Sequence, residues 1–407
     1  MYIYKVGVVG AGTMGAQIAQ VVSFAGVPVV LTDMSEALAQ RGIETVRRIY
    51  QARVDKGKMT SEQLEEKMLL VTAAAGQATL KDVDLVIEAA PEDLHLKQSL
   101  FRELDGACSP GAILASNTSA LSISALGAAT KRPGKVIGLH FFNPAYAMPL
   151  VEVIPGLATD QQTVDDVVGF SESIRKVPIV VKECAGFLVN RLLMPYLNEA
   201  VLCLQEGAAS LKEIDQEMMT FGMPVGPFAL LDTIGLDVSF EVARILHESY
   251  GPRMAPAALL EALVKAGRLG VKTGRGFYEY DGTSAQDLER LTTKTREETG
   301  RPKTRWAPTR LLLTMVNEAV TALQEGVASA RDIDLAMVAG TGFPKDTEGP
   351  LHYADRLGID HVLHELEEFA QTLGMRFWPA PMLRRMVSAG FTGRSAGRGF
   401  FTYGGPT

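Results

Sequence analysis

A glycine-rich segment near the amino end constrains the fold of this chain more than any other feature. Residues 10–15 read G-A-G-T-M-G, after an apolar run at residues 3–9 and before a helix-like pattern at residues 13–25. A G-x-G-x-x-G motif between a strand and a helix is typical of dinucleotide-binding units. The first glycine permits the tight turn, the second lets the backbone approach a pyrophosphate, and the third lets helix and strand pack closely. The predicted contacts are Gly10, Gly12, Thr13, Met14 and Gly15.

An acidic residue after the second strand-like run indicates which dinucleotide binds. Residues 27–32 predict a strand, and Asp33 follows it, 18 residues after Gly15. A carboxylate there can accept hydrogen bonds from the adenosine ribose and would repel a 2′-phosphate. Met34 and Ser35, rather than an arginine, come next. We therefore predict that the chain binds NAD. FAD is the main alternative ligand, and the other alternative is a glycine-rich turn that binds no ligand.

Strand-like and helix-like segments alternate through the first part of the chain. This alternation predicts a Rossmann-type α/β domain with a mostly parallel, doubly wound sheet, interrupted by a long helical excursion at residues 36–70. The further strand candidates are residues 83–88, 112–116, 135–140, 149–154 and 177–181.

The remainder of the chain is helical and repeats itself. Three short sequences recur 119 residues later: N-E-A at 198–200 and 317–319, L-Q-E-G at 204–207 and 323–326, and I-D at 214–215 and 333–334. Three more recur 123 residues later: G-P at 226–227 and 349–350, G-x-D at 235–237 and 358–360, and G-R-G-F at 274–277 and 397–400. Two consistent offsets indicate a duplicated all-α unit whose second copy carries four extra residues.

These patterns divide the chain into three predicted domains. A Rossmann-type domain occupies residues 1–185, the first helical copy residues 186–290, and the second helical copy residues 291–407. The polar stretch 281–305 is interpreted as a linker or an exposed helix between the copies.

Composition excludes several classes of protein. The formal net charge is −7, which argues against nucleic acid as a general partner because phosphate contacts need a basic face. The cysteines Cys108, Cys184 and Cys203 are odd in number and lack metal-like spacing, so we expect neither a disulfide framework nor a metal site. A reducing compartment such as the cytoplasm fits this usage. We find no signal peptide and no long apolar run, and expect no membrane association.

Two ionisable residues interrupt apolar strands. His140 ends the apolar run that begins at Val136, and Glu152 lies inside the run Leu150–Ile154. A buried carboxylate is costly unless it is paired, and the turn-forming residues between the two runs would bring them side by side. A histidine oriented by a carboxylate is suited to removing a hydroxyl proton during hydride transfer. The alternatives are a core histidine and a strand-edge glutamate facing water.

Four longer motifs carry a resemblance to a known family. They are A-S-N-T-S at 115–119, G-L-H-F-F-N-P at 138–144, M-x-L-V-E-V-I at 148–154 and G-F-x-x-N-R-L-L at 186–193. Together they resemble the L-3-hydroxyacyl-CoA dehydrogenases over nearly the whole chain. The resemblance implies NAD-dependent oxidation of L-3-hydroxyacyl-CoA to 3-ketoacyl-CoA, as in fatty-acid β-oxidation.

The resemblance also implies roles for individual residues. His140 would be the catalytic base and Glu152 its orienting partner, and Ser119 and Asn190 would contact the substrate near the reacting oxygen or thioester. The cofactor site would also be lined by Glu92, Lys97, Asn117 and Asn143.

The two helical copies differ at one of these positions. Asn190 has Thr309 as its counterpart, although the neighbouring arginine is kept. We therefore predict one active site per chain, with the second copy mainly structural. Single-copy members of the family pair through this helical domain, so the resemblance implies that the second copy packs on the first as an internal pseudo-dimer. The chain would then be a monomer, or else a homodimer. Tyr353 stands where the first copy has Leu230, and the resemblance to long members of the family implies that it contacts the substrate, with core packing as the alternative.

The helical excursion carries a local excess of positive charge. Residues 36–58 contain six basic side chains and three acidic ones. The resemblance also implies that CoA binds against this segment, as it does in the family. Arginine and lysine are the donors that phosphates need. We predict Arg48 and Arg53 as substrate-binding residues, with an ordinary solvated helix face as the alternative.

Two other functions remain open at this stage. Sugar-acid dehydrogenases of the λ-crystallin or L-gulonate type share the fold and the pair but have proline after the histidine, where this chain has Phe141 and Phe142. A non-catalytic NAD-binding protein is the second alternative.

Overall fold

The computed structural model describes residues 2–280, 282 and 286–404. The chain divides after Phe187 into two compact units, which are described separately. None of the helices in these described ranges has the length and apolar character needed to cross a membrane.

The first unit is an α/β domain built on one sheet. Its described strands are β1 (Val6–Val9), β2 (Val29–Asp33), β3 (Val71–Ala75), β4 (Leu85–Glu88), β5 (Ile113–Ser116), β6 (Val136–Phe141), β7 (Leu150–Pro155) and β8 (Val177–Val180). They lie in the order β3-β2-β1-β4-β5-β6-β7-β8, and every neighbouring pair is parallel except β6 and β7. This confirms the mostly parallel sheet. Every residue of β1, β4 and β5 is buried, as expected of central strands covered on both faces.

Helices connect these strands. They are α1 (Thr13–Phe24), α2 (Glu36–Asp55), α3 (Ser61–Met68), α4 (Leu94–Ala107), α5 (Ile123–Gly127) and α6 (Gln161–Ser173). The predicted excursion is therefore two helices. Gly57, at φ 65°, lies in the break between them, and Thr60 and Gln63 form a capping box that starts α3.

The prediction from sequence missed β3. Its residues are V-T-A-A-A, and alanine is depleted in strands, so the local pattern does not indicate one. The strand forms because it adds to the edge of the sheet beside β2, with Val29 opposite Val71. The predicted strand at residues 3–9 was also too long, since the observed strand begins at Val6.

The second unit is helical. Its described helices are α7 (Val189–Gln205), α8 (Leu211–Phe221), α9 (Pro227–Ile234), α10 (Leu236–Tyr250), α11 (Ala258–Lys265), α12 (Gln286–Thr299), α13 (Pro308–Gln324), α14 (Ala330–Thr341), α15 (Pro350–Leu357), α16 (Ile359–Leu373) and α17 (Pro381–Ser388). Helix α12 lies in the polar stretch interpreted as a linker or exposed helix. The domain boundaries at residues 185 and 290 stay predictions.

The repeated residues hold equivalent turns in the two copies. Asp232 accepts the backbone N–H of Phe277 at 2.8 Å, and Asp355 accepts that of Phe400 at 2.9 Å. A Cβ on Gly276 would lie 1.9 Å from the Asp232 carboxylate, so only glycine fits this turn. These buried aspartates explain why the G-R-G-F motif occurs twice.

Ion pairs link the two copies across their longest helices. Arg191 on α7 donates to Glu318 on α13 and to Glu325, the residue that follows α13, at 2.7 Å in both cases. Arg310 on α13 donates to Glu199 on α7 at 2.5 Å and to Glu206, the residue that follows α7, at 2.9 Å. Each arginine is fully buried and binds the equivalent pair of glutamates of the other copy. The pairs are therefore related by an approximate twofold arrangement within the second unit.

Candidate active site

The glycine loop between β1 and α1 leaves space where a ligand would approach. Gly10 has φ 97°, and a Cβ there would lie 2.6 Å from the Ala89 carbonyl oxygen. A Cβ on Gly15 would lie 1.7 Å from the Gly10 carbonyl oxygen, so helix and strand need this glycine to pack. A Cβ on Gly12 would meet nothing within 4 Å. The three glycines thus provide a turn, an open approach and a close contact.

The amino end of α1 and the carboxylate of Asp33 complete this cradle. The helix begins at Thr13, and its N-cap residue Gly12 provides no side-chain cap for the first backbone N–H groups. Such a helix start favours a pyrophosphate. Asp33 accepts the N–H groups of Ala11 and Met34, each at 2.7 Å, and its oxygens have further lone pairs for ribose hydroxyls. These residues fit a bound dinucleotide.

The predicted histidine and glutamate are directly opposite each other on β6 and β7. His140 Nδ1 lies 2.7 Å from Glu152 Oε2. The histidine is 5% exposed and the glutamate 0%, so water does not screen this contact. A carboxylate can only accept, which places the hydrogen on Nδ1 and leaves the lone pair of Nε2 to act as a base.

Ser119 lies on the other side of the imidazole. Its Oγ is 3.2 Å from His140 Nε2, the nitrogen that faces away from Glu152. Ser119 follows β5, whose carboxyl end lies beside that of β6. Three separate segments therefore bring a carboxylate, an imidazole and a hydroxyl together, and their catalytic roles stay predictions.

Glu92 connects this line to a second buried cluster. It accepts hydrogen bonds from the Ser119 N–H, at 3.0 Å, and from the Thr118 hydroxyl. Lys97 Nζ lies 3.4 Å from Glu92, and it donates to Glu88 at 2.6 Å and to the Ala90 carbonyl at 3.0 Å. The ammonium of Lys97 is buried, and these three contacts hold it beside Glu92. The predicted role of Lys97 at the cofactor stays a prediction.

The two predicted asparagines order the backbone around β6. Asn117 Oδ1 accepts the N–H of Phe141 at 2.8 Å. Asn143 Oδ1 accepts from Gln17 Nε2 at 3.2 Å, and Gln17 Oε1 accepts the N–H of Ala145 at 2.6 Å. Gln17 lies on α1, so the loop after His140 is tied to the helix that begins at the glycine cradle.

Lys176 braces the same loop from the opposite side. Its ammonium donates to the carbonyl oxygens of Ala145 and Met148, at 2.5 and 2.7 Å. Burial lowers the pKa of Lys176 to about 8, because the charged form loses solvation there.

The two predicted CoA-binding arginines lie on α2. Arg48 is exposed and donates to Thr45 at 2.8 Å. The guanidinium of Arg53 lies 4.5 Å from the centre of the Phe24 ring, and its buried Nε has no hydrogen-bond partner in the part of the chain described. Arg47, by contrast, is held by Glu65. Arg48 and Arg53 thus keep donors that no described carboxylate uses.

Two predicted substrate contacts lie in the second unit. Asn190 is in the first turn of α7. Its counterpart Thr309 donates to Glu365 at 3.1 Å. Tyr353 packs in an aromatic cluster with Phe221 and Phe343, at centroid distances of 5.3 and 6.3 Å. Burial in this cluster raises the pKa of the Tyr353 phenol. Both substrate roles stay predictions, and the environment of Tyr353 favours the packing alternative.

The structure adds residues that the sequence reasoning missed. Glu88 ends an apolar strand, which is the same signal that identified Glu152. Gln17 has no local signal, because its partners lie more than a hundred residues away. The rings of Phe142 and Phe187 lie 4.6 and 6.0 Å from the imidazole of His140.

Comparisons with protein families agree on one assignment. Residues 5–184 match the model of the 3-hydroxyacyl-CoA dehydrogenase NAD binding domain. Residues 186–280 and again residues 306–403 match that of the 3-hydroxyacyl-CoA dehydrogenase C-terminal domain. The second match reproduces the repeat seen in the sequence.

Individual relatives give the same result. The fatty acid oxidation complex subunit alpha of Shewanella amazonensis is 39% identical over 401 residues, covering 96% of this chain and 56% of that protein. The chain thus spans about half the length of the curated relatives it matches. The crystal structure of 3-hydroxybutyryl-CoA dehydrogenase from Escherichia coli K12 matches with TM-score 0.87 and 31% identity, over 96% of this chain and 99% of that one. The (S)-3-hydroxybutyryl-CoA dehydrogenase of Ralstonia eutropha matches with TM-score 0.67 and 43% identity, over 69% and 99%.

Proposed function

This chain belongs to the 3-hydroxyacyl-CoA dehydrogenase family, and from that membership we propose that it interconverts an L-3-hydroxyacyl-CoA and its 3-ketoacyl-CoA with NAD. The observation that carries the proposal is the buried 2.7 Å contact between His140 and Glu152, on two strands of the sheet that also holds the glycine cradle. We place the reaction in fatty-acid β-oxidation or related acyl-CoA metabolism, in the cytoplasm.

The proposed mechanism follows from the hydrogen-bond line. Bound NAD supplies the hydride acceptor. His140 Nε2 removes the proton of the C3 hydroxyl, and the Nδ1–H bond to Glu152 stabilises the imidazolium that forms. In reduction, the imidazolium returns the proton to the C3 oxygen. Because the pair is buried, the carboxylate acts on the imidazolium with little screening.

Ser119 and Asn190 are proposed to bind the substrate oxygens. A hydroxyl and an amide can both donate to a carbonyl or an alkoxide, which favours the charge that develops during the reaction. Ser119 is supported by its 3.2 Å contact with the base. Asn190 is supported by the loss of the amide in the second copy, where Thr309 bonds Glu365 instead.

The cofactor residues divide into two proposed groups. Gly10, Gly12, Gly15 and Asp33 contact the dinucleotide together with the start of α1. Glu92, Lys97, Asn117 and Asn143 line the side nearer the base, where Lys97 Nζ lies 3.4 Å from Glu92.

Arg48 and Arg53 are proposed to attract the CoA phosphates. Replacing both with Ala should raise the KM for acetoacetyl-CoA about tenfold or more, since the loss of a single charge-assisted contact of about 1.5 kcal/mol already corresponds to a factor of about ten. The KM for NADH should stay within about twofold, because phosphate contacts on α2 do not touch the glycine cradle. Arg244→Ala is the matched control, because Arg244 is an exposed residue on α10 of the second unit. Equal effects on both KM values would refute the assignment.

The helical copies are proposed to form a pseudo-dimer within one chain. The reciprocal ion pairs of Arg191 and Arg310 support this, since each copy provides the partners of the other. We therefore propose a monomer, with a homodimer as the alternative. Sedimentation analysis that found an obligate dimer formed through the surface between the two copies would overturn the proposal.

The activity is tested by mixing the protein with NADH and acetoacetyl-CoA and following the absorbance of NADH. We expect oxidation of NADH that His140→Gln abolishes, with NADH still bound by the variant. A series of acyl-CoA lengths then defines the substrate preference. Absence of turnover with every 3-ketoacyl-CoA would refute the proposal and leave a sugar-acid dehydrogenase or a non-catalytic NAD-binding protein.

A further inference from the structure

A bulky residue beside the base has a backbone conformation that side chains rarely adopt. Phe187 has φ 49°, and Gly186 before it has φ 72°. Glycine adopts this region freely, whereas for a large side chain it is an outlier that the surrounding structure must hold in place. Such outliers concentrate at functional sites. The position of the Phe187 ring therefore needs a reason.

Local hydrogen bonds close the turn that holds Phe187. Its N–H donates to the Cys184 carbonyl oxygen at 3.0 Å, and the Cys184 thiol donates to the Phe187 carbonyl oxygen at 3.2 Å. The turn is also anchored on the side before it. Glu183 accepts the Ser122 hydroxyl at 2.7 Å and the Ser124 N–H at 3.0 Å, at the start of α5.

The ring that this turn presents contacts the imidazole of His140. Phe187 is 1% exposed, and its centroid lies 6.0 Å from that of His140. Phe142 contacts the same imidazole edge to face at 4.6 Å. His140 thus has two phenyl rings beside it in addition to the polar contacts of Nδ1 and Nε2.

We propose that Phe187 is a positioning residue for the proposed reaction, with its backbone held left-handed so that its ring, together with that of Phe142, encloses the imidazole of His140. This inference rests on the proposed function. The two rings oppose rotation of the imidazole away from Glu152 and Ser119. They also exclude water, which strengthens the hydrogen bond to the carboxylate in the lower local dielectric.

Glycine and leucine substitutions separate the ring from the backbone. Phe187→Gly permits the left-handed φ but removes the ring, and Phe187→Leu keeps apolar bulk without an aromatic face. Phe170→Leu is the matched control, because Phe170 is also a buried phenylalanine of the first unit but lies on α6 away from the site. NADH binding, followed by its fluorescence, shows that each variant is folded.

We expect kcat for acetoacetyl-CoA reduction to fall about tenfold to a hundredfold in Phe187→Gly, which is the effect of a small misplacement of a catalytic group. Phe187→Leu should lie between this variant and the wild type, and the KM for NADH should stay within about twofold. A kcat of Phe187→Gly equal to that of Phe170→Leu would overturn the inference. A wild-type protein without turnover would instead overturn the proposed function, so the two failures are distinct.

Discussion

Replacing Glu152 with glutamine tests how the carboxylate contributes to the reaction. The substitution keeps the size of the side chain and an oxygen that can accept the His140 Nδ1 hydrogen. It removes the negative charge from a site where the pair is 2.7 Å apart and almost fully buried. In oxidation the imidazole is neutral before the proton is removed and positive afterwards. The charge of Glu152 therefore acts mainly on the transition state.

The magnitude follows from the distance between the charge centres. With about 4 Å between the centres of charge and an effective dielectric constant of about 20, the attraction is about 4 kcal/mol. A neutral hydrogen bond to glutamine restores about 1 kcal/mol of this. The remaining ~3 kcal/mol corresponds to a loss of about a hundredfold to a thousandfold in kcat. The KM for substrate should change little, because the ground state contains a neutral imidazole.

The assay is steady-state oxidation of 3-hydroxybutyryl-CoA with NAD. Glu241→Gln is the matched control, because Glu241 forms an exposed pair with Arg244 on α10 and its loss should change little. Thermal unfolding of both variants shows whether the fold is retained. A kcat for Glu152→Gln within about threefold of the wild type, in a folded protein, would refute the role of the charge.

Further substitutions test the cradle, the link between the copies and the buried lysine. Gly12→Ala should fold normally and weaken NADH binding about tenfold or more. Gly15→Ala should instead lower the melting temperature, because its Cβ would clash with the backbone. A normal NADH affinity of Gly12→Ala would contradict the proposal that the glycine cradle binds the dinucleotide. Arg310→Met should reduce the free energy of unfolding by about 3–5 kcal/mol in urea titrations. Arg191→Met should reduce it by less, because Glu325, one of the partners of Arg191, is 45% exposed. The reverse order would contradict the view that the more deeply buried ion pairs contribute more to stability. Burial lowers the pKa of Lys176 from 10.5 to about 8, so between these pH values the unfolded state binds more protons than the folded state. The melting temperature of the wild type should therefore rise with pH relative to that of Lys176→Met. A difference in melting temperature that does not change with pH would contradict the pKa shift.

Part of the site could be predicted from sequence because burial makes ionisable groups conspicuous. His140 and Glu152 each interrupt an apolar run, and a turn between the runs predicts that the strands are neighbours. The antiparallel register that places them opposite each other confirms this reasoning. Glu88 carries the same signal at the end of β4, and the rule would have identified it had it been applied there.

Other parts depend on contacts that no local pattern reveals. Gln17 looks like an ordinary polar residue on α1, and only the folded chain brings it to Asn143 and Ala145. The left-handed backbone of Phe187 could not be predicted from the sequence for a different reason. A glycine at that position would have predicted the conformation, whereas a phenylalanine predicts the opposite, and only the closed turn explains it.

The repeat shows which constraints act on the second helical copy. In the first copy the buried Asp215 accepts the Tyr278 hydroxyl at 2.7 Å. The equivalent of Tyr278 is Phe401, which has no hydroxyl, and His352 donates to the equivalent Asp334 instead, at 2.6 Å. Two positions have therefore changed together, so that a buried carboxylate keeps a donor.

The position of Asn190 has changed in a different way. Its counterpart Thr309 forms a different hydrogen bond, to Glu365, which stabilises the copy without replacing the donor. The buried ion pairs of Arg310 are kept. The residues retained in the second copy are thus those that pack and pair with the first. This pattern is expected if one histidine site per chain carries the proposed chemistry and the second copy packs against the first.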